Sequence, residues 1–268
     1  MQNAQLDVII PCYNAADTLE RAVLSVLRQA EVRRVVLVDD GSSDGTRALM
    51  QDLAARFAQI QLEFMPQNGG VAKARNWGAL QSDADFIAFL DADDEYENGV
   101  LLPAFWILQH RPEIALVRLK IKPIDLEEKY LQANGFDRAW QSVAMTVGGN
   151  MVFRRNAFLA AGGFPQQTLF RQLGGEDAAL GIAFTRASVV ATLFGEREAA
   201  VRHYCHANAH ARRLLDAHLF GQHDARVHAE QMAQAEAITA QIVQNLHSLQ
   251  SVLNVPQTGI MPMYPEYN

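Results

Sequence analysis

The sequence contains only two cysteines in 268 residues, and it has no long basic run. Cys12 and Cys205 lack the spacing of a metal site, and two isolated thiols suit a reducing compartment. A nucleophilic Cys12 is one interpretation, but a small buried residue beside a strand is the one we favour. A formal net charge of −7 without a basic run argues against a nucleic-acid partner.

Membrane-spanning and secretory segments are also missing from the sequence. No stretch approaches the roughly 20 apolar residues that a membrane helix needs. The opening MQNAQLDVIIPCYN has no basic flank and no sustained apolar region, so it does not look like a signal peptide. We therefore expect a cytoplasmic protein, and a peripheral position at the inner membrane face stays open.

The first third of the chain alternates short apolar runs with helical patterns. The runs LDVIIP, VVLVDD, IQLEF and DFIAFL predict strands, and RAVLSVL, ALMQDLAARF and AKARNWGAL predict helices. This alternation is typical of a parallel sheet. The polar turns PCYN, DDGSSDGT and DADDEY would then share the edge formed by the carboxyl ends of the strands, where ligands bind.

The turn FLDADDE puts four carboxylates, those of Asp91, Asp93, Asp94 and Glu95, into five residues. Carboxylates this close raise one another's pKa, so the cluster is unfavourable without a compensating partner. A hard divalent cation would supply that compensation. An acidic, solvated turn would explain the same pattern.

The other two motifs of this edge carry different chemistry. In DDGSSDGT we expect Asp40 to contact a ligand, and the small polar residues after it to cap the next helix. The stretch NGGVAKARN opens a helix with glycines and two cations, an arrangement that attracts phosphate. Arg75 is the favoured phosphate ligand, since Lys73 could simply be solvated.

Four motifs together point to a family. PCYN, VDDGSSDGT, GGVAKARNWGA and FLDADD, in this order and spacing, resemble the inverting glycosyltransferases of family 2, which have the GT-A fold. The resemblance is strong over about the first hundred residues and thinner afterwards, where GGNMVFRRNAFLAAGGF, GGEDAAL and HYCHAN are similar to acceptor-side motifs of the family.

The resemblance implies an α/β fold of GT-A type, with a Rossmann-like, mostly parallel central sheet flanked by helices and a C-terminal helical extension. The expected domains are a GT-A domain (1–208) with a nucleotide-binding half (1–95) and an acceptor-side half (96–208), followed by a helical extension and tail (209–268). The implied activity is metal-dependent, inverting sugar transfer from a nucleotide sugar, most commonly a UDP-sugar, to a hydroxyl of a glycan or lipid-linked saccharide.

The resemblance also assigns roles to residues. Asp177 would be the catalytic base, with Glu176 as an orienting or acceptor-binding partner, and Mn²⁺ or Mg²⁺ would be held by Asp93, Asp91 and His206. The nucleotide-binding residues would be Pro11, Tyr13, Asn14, Asp40, Arg75, Asp91 and Ala92. An acidic helix start would explain Glu176 and Asp177 without catalysis.

Two departures from the family pattern concern these roles. Members often carry an arginine about two turns after the acidic pair, whereas the first arginine here is Arg186. The family's Y-R-x-H pattern appears as HYCH, without its arginine. His203 and His210 therefore compete with His206 for the metal.

The composition changes after residue 210, and no Lys or Arg follows Arg226. The spacing of Ile238, Ile242, Leu246, Leu249 and Leu253 predicts an amphipathic helix. We expect this helix to pack on its own catalytic domain, and a helix pair in a homodimer is the alternative. The final VPQTGIMPMYPEYN is predicted to be an irregular tail.

Other functions fit the sequence less well. A nucleotidylyltransferase or a dehydrogenase would need a glycine-rich loop after the first strand, where PCYN has none. A sugar-nucleotide-binding or glycan-binding relative without turnover stays the main alternative. Trp140 could stack on an acceptor sugar or belong to the core.

Overall fold

The computed structural model describes residues 4–206, 210–249 and 258–265, in which strands and helices alternate. The strands are β1 (Leu6–Cys12), β2 (Val32–Asp39), β3 (Ile60–Phe64), β4 (Phe86–Phe89), β5 (Glu95–Tyr96), β6 (Ile114–Ile124), β7 (Met151–Arg154), β8 (Val189–Leu193), β9 (Ala200–Tyr204) and β10 (Gly259–Pro262). The helices are α1 (Leu19–Leu27), α2 (Thr46–Arg56), α3 (Val71–Gln81), α4 (Leu101–His110), α5 (Glu128–Leu131), α6 (Phe136–Ala144), α7 (Arg155–Ala161), α8 (Thr168–Leu173), α9 (Glu176–Ala187), α10 (His210–Phe220) and α11 (Ala229–Ser248).

The main sheet has the order β10-β8-β6-β7-β4-β1-β2-β3. Its pairs are parallel except those of β7, which runs antiparallel to both β4 and β6. Because β1, β2 and β4 are parallel neighbours, the turns that follow them meet at one edge of the sheet. The predicted α/β fold of GT-A type, with a mostly parallel central sheet flanked by helices, is confirmed.

The local sequence explains why these strands form the centre of the sheet. All seven residues of β1 are buried, as expected for a strand covered on both faces. Leu19, Val23 and Val26 of α1 are buried together, so the apolar face of this helix covers the sheet. The first helices and strands thus fix the edge on which the polar turns lie.

A second, smaller sheet branches from β6. Beyond the main sheet, Lys120–Ile124 of β6 pair in parallel with β9, and β9 pairs antiparallel with β5. Strand β5 directly follows the acidic turn after β4, while β9 carries His203. The small sheet therefore brings the HYCH segment close to the acidic turn.

Helix α11 packs against α9 and α7 of its own chain, as predicted. Ile242 and Leu246 are buried in this contact, whereas Leu249 is 39% exposed. Leu253 lies outside the described residues. Ile242 and Leu246 are thus covered by their own chain, and a helix pair in a homodimer stays a prediction.

The prediction of an irregular tail is wrong for Gly259–Pro262. These residues form β10, which pairs in parallel with β8 and so extends the main sheet. The amides of Gly259 and Met263 donate to the carbonyls of Ser188 and Thr192. Because the nitrogens of successive strand residues face opposite sides, the nitrogen of Pro262 faces the open edge of the sheet. A proline is tolerated there because no hydrogen bond is needed. Residues 259–262 therefore contribute a strand to the main sheet.

No helix in the described part of the chain is both long and apolar enough to cross a membrane.

Candidate functional site

The turn after β1 is fastened to the turn after β2 by Asn14. The amide of Asn14 donates to the Ser42 hydroxyl at 3.0 Å, and its side-chain oxygen accepts from the amide of Ser43 at 2.9 Å. Ser42 and Ser43 are therefore hydrogen-bonded to Asn14. Of the small polar residues predicted to cap α2, Asp44 is the one that accepts a hydrogen bond from the start of this helix, at the amide of Thr46. The Tyr13 ring is exposed beside this turn, and Pro11 is buried within β1.

Asp40 lies at the end of β2, almost fully buried. Its two carboxylate oxygens accept from the amides of Gly69 and Gly70, at 2.6 and 2.8 Å. The carboxylate therefore fixes the turn that begins α3. The predicted contact with a nucleotide base stays a prediction.

Arg75 is the centre of the site. It is 2% exposed, on the inner side of α3. Its Nη1 donates to Asp177 at 2.7 Å, its Nη2 donates to Asp91 at 2.5 Å, and Glu176 lies 3.7 Å from Nη1. The sequence predicted that Arg75 binds phosphate, whereas in the structure its guanidinium contacts carboxylates. Two of these carboxylates belong to the start of α9, which lies opposite α3. A contact between Arg75 and phosphate stays a prediction.

Asp177 stands in the first turn of α9. It accepts from Arg75 and also, at 2.9 Å, from the amide of Gly148. Burial raises the pKa of Asp177, Arg75 lowers it, and Glu176 and Asp91 raise it, so that it reaches about 7. Only glycine fits at position 148, since a β-carbon there would lie 2.7 Å from Oδ1 of Asp177.

The carboxylates of the acidic turn after β4 lie in two different environments. Asp94 is buried and contacts Nδ1 of His203 at 2.7 Å. Burial lowers the pKa of His203, but Asp94, Asp91 and Asp93 outweigh it and raise the pKa to about 9. This pair joins the turn to β9.

Asp93 faces the cavity instead. Its pKa is raised to about 6 by burial and by the charges of Asp94 and Asp91. Nε2 of His206 lies 3.4 Å from its carboxylate. His203 contacts Asp94, and Nδ1 of His210 contacts Arg213. Among the three competing histidines, His206 is therefore the one placed beside Asp93.

The donor set of the turn fits a hard divalent cation in part. Such a cation would stabilise the carboxylate of Asp93, because the neighbours of Asp93 disfavour its ionisation. The imidazole of His206 beside it could serve as a second ligand. Asp91, in contrast, already accepts from Arg75. Within the described ranges no three His, Cys, Asp or Glu side chains are gathered closely enough to form a complete metal site. The remaining ligands would have to come from a substrate or from water.

One cavity of about 370 Å³ brings the predicted catalytic and metal residues together. Its lining includes Asp91, Asp93, Glu176, Asp177 and His206. Ala92 is buried behind the turn. Trp140 belongs to the core, where its indole donates to the carbonyl of Ile121. Cys12 is also buried, and burial raises the pKa of its thiol, which argues against a nucleophilic role.

Arg118 is a residue that sequence reasoning missed. It is fully buried in β6, where Nη1 donates to Asn150 and to two backbone carbonyls, while Nε and Nη2 have no partner among the described residues. Nη2 packs against Gly181, one turn after Asp177 in α9. Burial lowers the pKa of Arg118 to about 10, although Asp177 raises it. The sequence signal for Arg118 was the presence of a charged residue inside the apolar run IALVRLKI.

Solved structures with the same fold bind nucleotides. Staphylococcus aureus TarS residues 1–349 in complex with UDP superimposes with a TM-score of 0.58 at 17% identity, over 93% of this chain and 86% of that one. The mannosyltransferase PcManGT from Pyrobaculum calidifontis, in complex with GDP-Man and Mn²⁺, gives a TM-score of 0.58 at 18% identity, over 95% of this chain and 76% of that one. At these identities the likeness concerns the fold.

Curated relatives are similar over about a third of the chain. The putative teichuronic acid biosynthesis glycosyltransferase TuaG of Bacillus subtilis (strain 168) is 37% identical over 97 residues, which are 36% of this chain and 38% of TuaG. The succinoglycan biosynthesis protein ExoU of Rhizobium meliloti (strain 1021) is 37% identical over 94 residues, 35% of this chain and 28% of ExoU. The match thus spans less than half of either relative.

The family model "Glycosyl transferase family 2" matches residues 7–162, more than half of the chain. This range contains the three turns at the sheet edge, with Asp40, Arg75 and the acidic turn. The chain belongs to glycosyl transferase family 2.

Proposed function

We propose that this protein transfers a sugar, with inversion at the anomeric carbon, from a nucleotide-sugar donor to a hydroxyl group of a saccharide or lipid-linked acceptor. The observation that carries the proposal is the placement of Asp177 in the same cavity as Asp91 and Asp93. The proposed base and the proposed metal ligands thus line one cavity, which supports a single site for transfer. The transfer itself and its metal dependence are parts of the proposal.

Asp177 is the proposed base for the acceptor. In the transfer, the bond between the anomeric carbon and the diphosphate oxygen breaks, and a bond to the acceptor oxygen forms on the opposite face. The acceptor proton passes to Asp177, and a nucleoside diphosphate leaves. A base with a pKa near the working pH is efficient in such a step, and the pKa of Asp177 is about 7.

Arg75 and Gly148 position that base. The guanidinium and the backbone amide hold the two oxygens of Asp177 from different sides, at 2.7 and 2.9 Å. Because Arg75 also binds Asp91, it fixes the distance between the base and the acidic turn. Glu176, beside them, is the proposed orienting partner for the acceptor.

Asp93 and His206 are the proposed protein ligands of Mn²⁺ or Mg²⁺, with Asp91 as a further candidate. When bound, such an ion acts as a Lewis acid and stabilises the charge of a leaving diphosphate. Asp40, Tyr13 and Asn14, at the neighbouring turns, would contact the nucleotide. UDP is the first nucleotide to test, and the complexes of TarS with UDP and UDP-GlcNAc and of PcManGT with GDP-Man and Mn²⁺ support this choice of ligands.

A thermal-shift screen of nucleoside diphosphates, with and without Mn²⁺, tests the donor site. A ligand that binds the native state raises the melting temperature by mass action. We expect UDP to do so only with Mn²⁺, and Asp93→Ala to abolish the effect. Retention of tight, Mn²⁺-dependent UDP binding in Asp93→Ala would contradict the metal assignment.

Turnover is the second part of this test. Mn²⁺-dependent hydrolysis of a UDP-sugar, with inversion of the released sugar detected by proton NMR, would support transfer. Binding without turnover of any donor and acceptor pair would instead favour the sugar-nucleotide-binding relative without catalysis.

A further inference from the structure

A second cavity, of about 260 Å³, lies between the start of α3 and residues 165–174. Gly174 and Glu176 line both this cavity and the one that contains Asp177. The two cavities therefore meet at the start of α9. The second is smaller than the roughly 300–1,000 Å³ of a site for a whole ligand. It suits one group of a larger molecule.

This cavity is cationic, although the chain carries a formal net charge of −7. Lys73, Arg171 and Arg213 line it, and Glu176 is the acidic residue among the described residues of its lining. We call it the cationic cavity. Glu176 is already close to a cation, since its Oε1 lies 3.7 Å from Arg75.

The positive charge of the cationic cavity is poorly neutralised. In the described part of the chain, the ammonium group of Lys73 has no hydrogen bond or ion pair. Arg171 donates to the carbonyl and side-chain oxygens of Asn68, at 3.2 and 3.1 Å, which are neutral acceptors. Arg213 donates to the carbonyl of Leu173 at 3.4 Å, contacts Nδ1 of His210 at 3.1 Å and forms a long ion pair with Asp224 at 3.7 Å. Lys73 and Arg171 therefore have no carboxylate partner among the residues that the structure describes, and an anion in the cavity would supply one.

Phosphate fits this set of donors better than a carboxylate. Arginine presents paired donors that match phosphate oxygens, and lysine adds a point charge. Cations from three separate segments can reach different oxygens of one phosphate group, whereas a carboxylate offers only two oxygens on one side.

We propose that the cationic cavity binds a phosphate group of the acceptor and thereby places the acceptor hydroxyl at Asp177. This inference rests on the proposed function, because it takes Asp177 as the base. The donor diphosphate is assigned to the other cavity, beside Asp93 and His206. The acceptor is then a phosphate-bearing saccharide or polyol, not a neutral sugar.

Glycerol 3-phosphate is the probe for this cavity. It is titrated by calorimetry and by NMR into the full chain with UDP and Mn²⁺ present at saturation, so that the donor site is filled. We expect saturable binding to the parent protein and about tenfold weaker binding to the double variant Lys73→Gln/Arg171→Gln, because two charged hydrogen-bond donors are lost. Both side chains are exposed, so the melting temperature and the affinity for UDP should not change.

Arg56→Gln is the matched control. Arg56 is also partly exposed but pairs with Glu20 and Asp52 and does not line the cavity. Its replacement should leave the binding of glycerol 3-phosphate unchanged. Equal binding by the parent and the double variant would overturn the proposal, and so would binding of glucuronate in place of glycerol 3-phosphate, since the group would then be a carboxylate.

The failure of this inference can be distinguished from the failure of the proposed function. If UDP and Mn²⁺ do not bind the parent protein, the donor assignment fails, and the titration is repeated without nucleotide. A loss of phosphate binding in the double variant would still support the cationic cavity, and no loss would overturn it.

Discussion

Asp177 and Arg75 show how a single residue depends on its neighbours. A buried carboxyl group resists ionisation, and Glu176 and Asp91 strengthen that resistance by like charge. Arg75 opposes both effects from 2.7 Å. The balance leaves the group able to exchange its proton near neutral pH.

Replacing Asp177 by Asn separates chemistry from donor binding. The amide keeps the size of the side chain but cannot accept the proton, so we expect kcat to fall by about 10²- to 10⁴-fold. The affinity for UDP and Mn²⁺ should stay near that of the parent, since Asp93 and His206 are unchanged. Steady-state rates and a thermal-shift titration check the two effects. Normal turnover would show that another residue is the base, and Glu176→Gln would be the next variant to test.

The pH dependence of transfer tests the role of Arg75. The base acts when ionised, so kcat/KM should rise as the pH increases through about 7 and level off above it. Arg75→Met removes the charge that lowers the pKa of Asp177, and the rise should therefore move to higher pH. A profile that does not move would contradict the assigned pairing.

The same variant leaves buried carboxylates without their partner, which should also destabilise the fold by about 3–5 kcal/mol. Arg56→Met is the control for stability, since its exposed ion pairs are worth little.

At the scale of helices and strands, the packing of α11 makes a matched comparison possible. Leu246 in α11 is 3% exposed, and Leu249, the residue that follows the end of this helix, is 39% exposed. We expect Leu246→Ala to lower the free energy of unfolding by about 2–5 kcal/mol, because it leaves a cavity against α9 and α7. Leu249→Ala should cost much less. Urea unfolding of both variants measures the difference, and equal losses would mean that the helix is held in another way.

Some of these helices and strands could be predicted from the sequence and others could not. Strands β1, β2 and β4 stand out because each contains an apolar run that ends at a polar turn. Strand β10 does not, since GIMP contains a glycine and a proline and relies on the free edge of β8. Similarly, nothing in the sequence of β7 shows that it runs antiparallel between β4 and β6. Such pairings depend on the rest of the sheet.

For the whole molecule, the motifs predict which residues meet but not how each is used. Asp93, His206 and Asp177 were predicted for one site and do line one cavity. Arg75 was predicted to bind phosphate, because its neighbours along the chain are glycines and cations. Its carboxylate partners come from other segments and are visible only after folding. The pairing of Asp94 with His203 also depends on the small sheet, which sequence periodicity did not reveal.

The contact between Arg75 and Asp177 joins residues 102 positions apart along the chain. Contacts this distant form late in folding, since a long loop must close before they can be made. On dilution from denaturant, circular dichroism should therefore recover before catalytic turnover does. Simultaneous recovery of the two signals would show that the contact forms early. A nascent or proteolysed fragment that ends before α9 would keep Asp40 and the acidic turn but would lack Glu176 and Asp177, so the proposed transfer would begin only once both halves of the chain have folded together.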